Sequence, residues 1–182
     1  FSLLRQPALW RASLYPGLES LGEASEEDRV RDWLAYIAPA AGDADIVDIS
    51  PYRVHERCVP TFRIGRMLLA GDAAHLNPPS GGMGMNGGVH DAVNLADKLA
   101  DVIGGEDESL LDRYSRQRLF VASEAVIPQA AQNRRRMMVI DRDMQLERLA
   151  EQRAIASDPE RAREFLLRAS MISGLEAAAR VE

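Results

Sequence analysis

The chain has 182 residues, enough for one domain or one domain with part of another. Its composition is globular, with 46% hydrophobic and 27% charged residues, and no apolar run approaches membrane-spanning length. A net charge of -6 argues against nucleic acid as main partner, and a single cysteine, Cys58, excludes an intramolecular disulfide framework and fits a reducing cytoplasm.

The first predicted element is a strand over residues 9–15, where apolar and polar side chains alternate before Pro16 and Gly17. A helix follows, opened by a capping box of Ser25 and Asp28. Its Val30, Trp33, Leu34 and Ile37 recur at helical spacing, and Pro39 and Gly42 close it. Two further strands are expected at 46–49 and 52–59. In the second, Arg53, His55 and Arg57 share one face while Tyr52, Val54 and Cys58 share the other. Residues 67–70 form a continuous apolar run that suits a strand buried on both faces.

Beyond Gly88 the pattern is helical. Val89, Val93, Ala96, Leu99 and Ile103 form an apolar stripe, and Gly104 and Gly105 stop it. The sequence from Ser109 to Met138 reads as one long helix kinked at Pro128. A last helix starts near Ser157 or Asp158, with Pro159 in its first turn.

The stretch AGDAAHLNPPSGGMGMNGG, residues 70–88, contains a literal G-x-G-x-x-G from Gly82 to Gly87. A dinucleotide turn needs those glycines directly after a strand, and a second strand ending in an acid beyond the helix. Here ten residues separate the strand end from Gly82, and no second strand precedes Glu106 and Asp107. The pyrophosphate reading is therefore rejected. What remains is Asp72 at a strand end, a stiff Pro78-Pro79 turn, and glycines leading to a helix N-terminus near Met85 and Asn86. A carboxylate there accepts hydroxyl hydrogen bonds, and open amides favour partial negative charge. That set suits a flavin ring with its ribityl chain, against the alternative of a merely tight strand-to-helix connection.

GRMLLAGDAAHLNPPSGGMGMNGGVHDAVNLADKLA, residues 65–100, resembles the second FAD motif of the aromatic-ring flavoprotein monooxygenases, the para-hydroxybenzoate hydroxylase family. The resemblance continues loosely through LLDRYSRQRLFVASEAV. It implies a cytoplasmic FAD-dependent enzyme that hydroxylates a phenolic substrate with oxygen and NADH or NADPH. Asp72 would bind the ribityl chain, the Pro79 carbonyl would face substrate, and Gly82, Gly84, Met85 and Asn86 would form the flavin platform. Asp91 would order the turn, and His75 would fix it by hydrogen bonds or act as a base. Tyr52, Arg53 and His55 are candidates for the substrate pocket, against the alternative of a solvated strand face. No histidine or cysteine spacing suggests a metal.

The implied fold is α+β: the carboxyl-terminal part of an α/β FAD-binding fold. Residues 1–64 would belong to the substrate sheet, 65–105 to the second FAD motif with one buried strand of the FAD-domain sheet, and 106–182 to a helical tail. The family's amino-terminal FAD-binding segment is absent, so the chain is expected to be incomplete and inactive alone. The arginines of QNRRRMM could meet NADPH phosphates, a second subunit in a homodimer, or only solvent. An epoxidase or halogenase-like flavoprotein, or a non-catalytic interaction module, are the rival readings.

Overall fold

The computed structural model describes residues 2–13, 25–41, 43–51, 53–79, 81–137 and 141–182. The expected features at Tyr15, Pro16, Gly17, Gly42, Tyr52 and Met138 lie outside them. The chain divides into two units, Phe1–Tyr52 and Arg53–Glu182, so residues 53–64 belong to the unit that holds the glycine motif and the later helices.

In the first unit, β1 (Ser2–Arg5) and β2 (Trp10–Ser13) form an antiparallel hairpin with Ser2 opposite Ser13 and Arg5 opposite Trp10. Helix α1 (Glu26–Ile37) begins as its capping box predicts, with the Ser25 hydroxyl accepting from the Asp28 amide at 3.1 Å. Three acids in its first turn face the positive end of the helix dipole. A 3-10 turn, Pro39–Ala41, follows. Residues 46–49 form no strand: a short apolar stretch does not make one without a neighbour to complete its hydrogen bonds.

The second unit carries two short antiparallel pairs. β3 (Arg57–Cys58) pairs with β6 (His75–Leu76), and β4 (Arg63–Ile64) pairs with β5 (Met67–Leu68). Only the end of the expected 52–59 strand pairs, so the face shared by Arg53 and His55 does not form. The 67–70 run also differs from expectation. Met67 is 67% exposed, because among the described residues β5 meets only β4 across the tight Gly65–Arg66 turn. Gly65 takes φ 59°, the left-handed geometry a turn of this kind requires.

Among the described residues six helices follow: α2 (Met83–Ile103), α3 (Ser109–Val121), α4 (Ile127–Met137), α5 (Arg142–Ser157), α6 (Pro159–Ala169) and α7 (Ile172–Ala179). α2 packs on α3, α3 on α7, and α6 on both α5 and α7. Asp158 caps α6, accepting from the Glu160 and Arg161 amides, with Pro159 at its first position. The long helix is interrupted earlier than Pro128, by a π turn over Ala122–Val126 in which the Ile127 amide reaches back to the Ala122 carbonyl. Proline lacks an N–H and crowds the carbonyl four residues before it, and the wider turn just upstream accommodates both defects.

α2 buries the face opposite to the expected one. Met83, Gly87 and Asp91 are buried at four-residue spacing, whereas Val89, Val93 and Ile103 are more than half exposed. Two apolar clusters lie beneath. Phe62, Ala74, Tyr114 and Ala122 form one, and Met83, Val121, Val126, Met171 and Ala178 the other. Burying each large side chain contributes about 1.5–3 kcal/mol.

Candidate functional site

The site begins where β5 ends. The chain turns through a 3-10 segment, Gly71–Ala73, and forms β6 with His75 and Leu76. It then passes the buried Pro78 and enters α2 behind Gly82. Gly82 caps α2 in the left-handed region, φ 65°, and no side chain caps the helix. Its amide donates to the Pro79 carbonyl at 3.1 Å. In a helix capped at Gly82, the amides of Met83, Gly84 and Met85 precede the first i-to-i-4 bond and point outward. The Asn86 amide is the first inside the ladder, and its side chain donates to the Gly82 carbonyl at 3.0 Å. A Cβ placed on Gly82 would meet nothing within 4 Å. Gly82 itself is exposed, whereas Met83 is buried and Gly84 packs on the Asn77 side chain, and Gly82, Met83 and Asn86 line a cleft with Ala169, Ser170 and Met171.

The predicted residues are distributed around this helix end. Asp72 is exposed and makes no hydrogen bond or ion pair among the described residues. Pro79, Met85 and Asn86 are exposed, and Gly84 lies against the Asn77 side chain. Arg53 and His55 are exposed on irregular chain, and nothing links them to the helix end. Tyr52 lies outside the described residues.

A buried ionic cluster, only partly anticipated, holds the turn to the helix. Asp91 has no exposed surface. Its Oδ1 accepts from Arg118 Nε at 2.6 Å, and its Oδ2 accepts from the Gly71 amide at 2.9 Å and from His75 Nε2 at 2.8 Å. Burial pushes the Asp91 carboxyl up, but the hydrogen bonds from His75 and Arg118, the Arg118 charge and the Gly71 amide outweigh it and hold it below the usual carboxylate range. His75 stacks on Phe62 with ring centroids 5.9 Å apart. Its Nδ1 is buried without a partner among the described residues. His75 is thus a tether for the turn.

Backbone packing completes the joint. Gly71 and Gly88 meet so closely that a Cβ on Gly88 would lie 3.3 Å from the Gly71 Cα. From α3, Tyr114 donates its hydroxyl to the Leu69 carbonyl at 2.5 Å, and the Phe62 amide donates to the Ser115 hydroxyl at 2.9 Å. Arg118, Tyr114 and Ser115 were not singled out in the sequence. Their one local signal is a polar side of α3 recurring at three- and four-residue spacing toward the apolar interior. His90 is half-buried and lines, with Gly81 and Asn86, a cleft of about 300 Å³. Burial and then the Arg118 charge press its imidazole below the ordinary value, against the opposing pull of Asp91. Among the described residues no group of acids, histidines and cysteine could hold a metal ion, and no helix is long and apolar enough to cross a membrane.

The sequence profile of the FAD binding domain family matches residues 4–169. The chain is 37% identical to a para-nitrophenol 4-monooxygenase of Pseudomonas sp. strain WBC-3, over 94% of this chain and 43% of that protein. The crystal structure of p-nitrophenol 4-monooxygenase PnpA from Pseudomonas putida DLL-E4 superposes with a TM-score of 0.69 at 36% identity, covering 84% of this chain and 40% of that one. The flavin-dependent monooxygenase PieE, crystallised with FAD and substrate, superposes with a TM-score of 0.58 at 25% identity, over 90% of this chain and 29% of that one. The chain thus spans less than half the length of these relatives.

Proposed function

The chain belongs to the FAD binding domain family, and on that premise we propose that the open end of α2, with Asp72, holds the flavin and ribityl portions of FAD in an aromatic-ring monooxygenase. The observation that carries this reading is the combination at that helix end: first-turn amides outside the helix's own hydrogen-bond ladder, an exposed Gly82 at the cap, and an exposed, unpaired carboxylate on the adjoining turn. These groups fit a flat, hydroxyl-bearing cofactor better than a phosphate, which the Asp72 charge would repel.

Bound FAD supplies the redox chemistry, the activation of oxygen with electrons from NADH or NADPH. The residues of this chain position and polarise. Asp72 accepts hydrogen bonds from ribityl hydroxyls, and the amides of Met83, Gly84 and Met85, at the positive end of a 21-residue helix, oppose negative charge on the ring. Gly82, Gly84 and Asn86 shape the platform. The Pro79 carbonyl, with one lone pair engaged by Gly82, presents the other to a phenolic hydroxyl. The Asp91 cluster acts through the turn it fixes and touches neither cofactor nor substrate. Arg53 and His55, with Tyr52, are proposed to hold an anionic ring substituent from the substrate side.

The exposed Val89, Val93 and Ile103 face, together with the partial coverage of the relatives, supports further sequence of the same protein covering α2. Access to NADH or NADPH puts the protein in the cytoplasm. The test is the complete protein, purified with its flavin. A phenol such as para-nitrophenol should accelerate NAD(P)H oxidation with oxygen uptake and yield a ring-hydroxylated product. A colourless protein would overturn the cofactor reading; flavin without hydroxylated product would shift the activity to another flavoprotein reaction.

A further inference from the structure

A second concavity lies among the helices, enclosing about 800 Å³, a size typical of small-molecule sites. Phe120, Val121, Met83 and Met171 give it an apolar wall, with Phe120 the most exposed of the four. Met171 sits at φ 64°, a costly conformation for a side-chain-bearing residue, yet is only 5% exposed. The packing that fixes it there commits its side chain to the interior.

Four arginines line the concavity, Arg135 and Arg136 of α4, Arg148 of α5 and Arg168 of α6, against one acid, Glu124. In a chain of net charge -6 that convergence runs against the composition. Two of the four have structural employment. Arg168 pairs with Glu164 at 3.1 Å, and Arg148 donates to the Arg136 carbonyl at the end of α4. Arg135 and Arg136 have no carboxylate partner among the described residues. A helix C-terminus favours a nearby cation but amounts to about half a negative charge, and together with the single Glu124 carboxylate it falls short of balancing the four guanidiniums of the lining.

We propose that this groove binds a small flat organic anion, its ring on Phe120 and Met171 and its oxyanion head on Arg135 and Arg136. Planar guanidinium forks match carboxylate and phosphate oxygens, and the apolar wall selects a ligand with a ring rather than a bare ion. Its arginines lie outside the α2 platform, with which the groove shares only Met83, there through its side chain rather than its amide. Two sources share this chemistry: an aromatic carboxylate and the phosphate end of a nucleotide.

The test is equilibrium titration of the whole chain with salicylate, adenosine monophosphate, inorganic phosphate and uncharged benzyl alcohol. Saturable binding of salicylate or adenosine monophosphate is expected, weakened about tenfold or more in an R135Q/R136Q variant. F120A should weaken both ring-bearing probes and leave inorganic phosphate unchanged. Either probe binding more tightly supports the site and names the source. Thermal melting checks that the double variant folds, and R135Q alone replaces it otherwise. The proposal is overturned if neither probe saturates, if the arginine variants bind as the wild type does, or if benzyl alcohol competes equally. Loss of binding in Asp72→Ala would also overturn it, by moving the ligand to the α2 platform.

Discussion

Replacing Asp91 with asparagine keeps the side chain's shape and removes its charge, which isolates what the carboxylate does. In the wild type, Arg118 is 1% exposed and its guanidinium bonds Asp91 at 2.6 Å. The variant leaves that cation buried without its counter-charge, a change that costs about 3–5 kcal/mol. For a unit of this size, that corresponds to a fall in melting temperature of roughly 10–15 °C. The companion change Asp97→Asn, on the exposed side of the same helix, should stay within about 0.5 kcal/mol. The pH dependence has a definite sign. The Asp91 carboxyl is held below the ordinary carboxylate range in the folded chain, so its contribution is complete above the unfolded pKa and is lost as pH falls through the folded one. The gap between wild type and Asp91→Asn should therefore hold at neutral pH and shrink under acid. Urea denaturation followed by circular dichroism across pH measures it. A neutral-pH difference below about 1 kcal/mol would refute the claim that the cluster holds the turn on α2.

Gly88→Ala should destabilise, by about 1–3 kcal/mol, although alanine ordinarily improves a helix interior by up to about 1 kcal/mol; the added Cβ presses on the Gly71 backbone at 3.3 Å, and thermal melting reads the sign. Tyr114→Phe should cost about 1–3 kcal/mol by leaving the Leu69 carbonyl unsatisfied. Burial and then the Asp91 charge push the Tyr114 phenol up, against Arg118, so the wild type should lose stability as pH rises through the ordinary tyrosine value near 10, and the variant should lack that component. Asp72→Ala should leave melting unchanged, because the side chain is exposed, while weakening FAD retention in the complete protein about tenfold to a hundredfold; flavin absorbance after gel filtration checks it.

Local signals were read well where local physics decides. The Ser25 capping box, the Asp158–Pro159 helix start and the Gly104 stop all depend on neighbours within a few residues. Strand structure did not form at 46–49 or 53–56 because a strand depends on a partner supplied from elsewhere in the chain. The α2 stripe shows a subtler error. Val89, Val93 and Ile103 mark the more apolar side, but the side packed on α3 and the turn is built from Gly87, Gly88 and Asp91. Two glycines and an acid are invisible to a hydrophobicity pattern, yet close backbone approach and a paired buried charge require them. The FAD motif was legible as a string; the partners that stabilise it, Arg118, Tyr114 and Ser115, lie 23 or more residues beyond Asp91 and carry no signature of their own.

The Asp91 cluster also constrains the order of assembly. Its acceptor bonds span 16, 20 and 27 residues, so no single hairpin satisfies the carboxylate. An α2–α3 pair formed without the 71–76 segment would enclose the charge with part of its hydrogen bonding missing, and the turn alone would leave two donors empty. Neither half is a stable resting place for the chain. The turn, β6 and both helices are thereby joined into one cooperative unit, in which the Gly71 amide exchanges with solvent only when the whole unit opens.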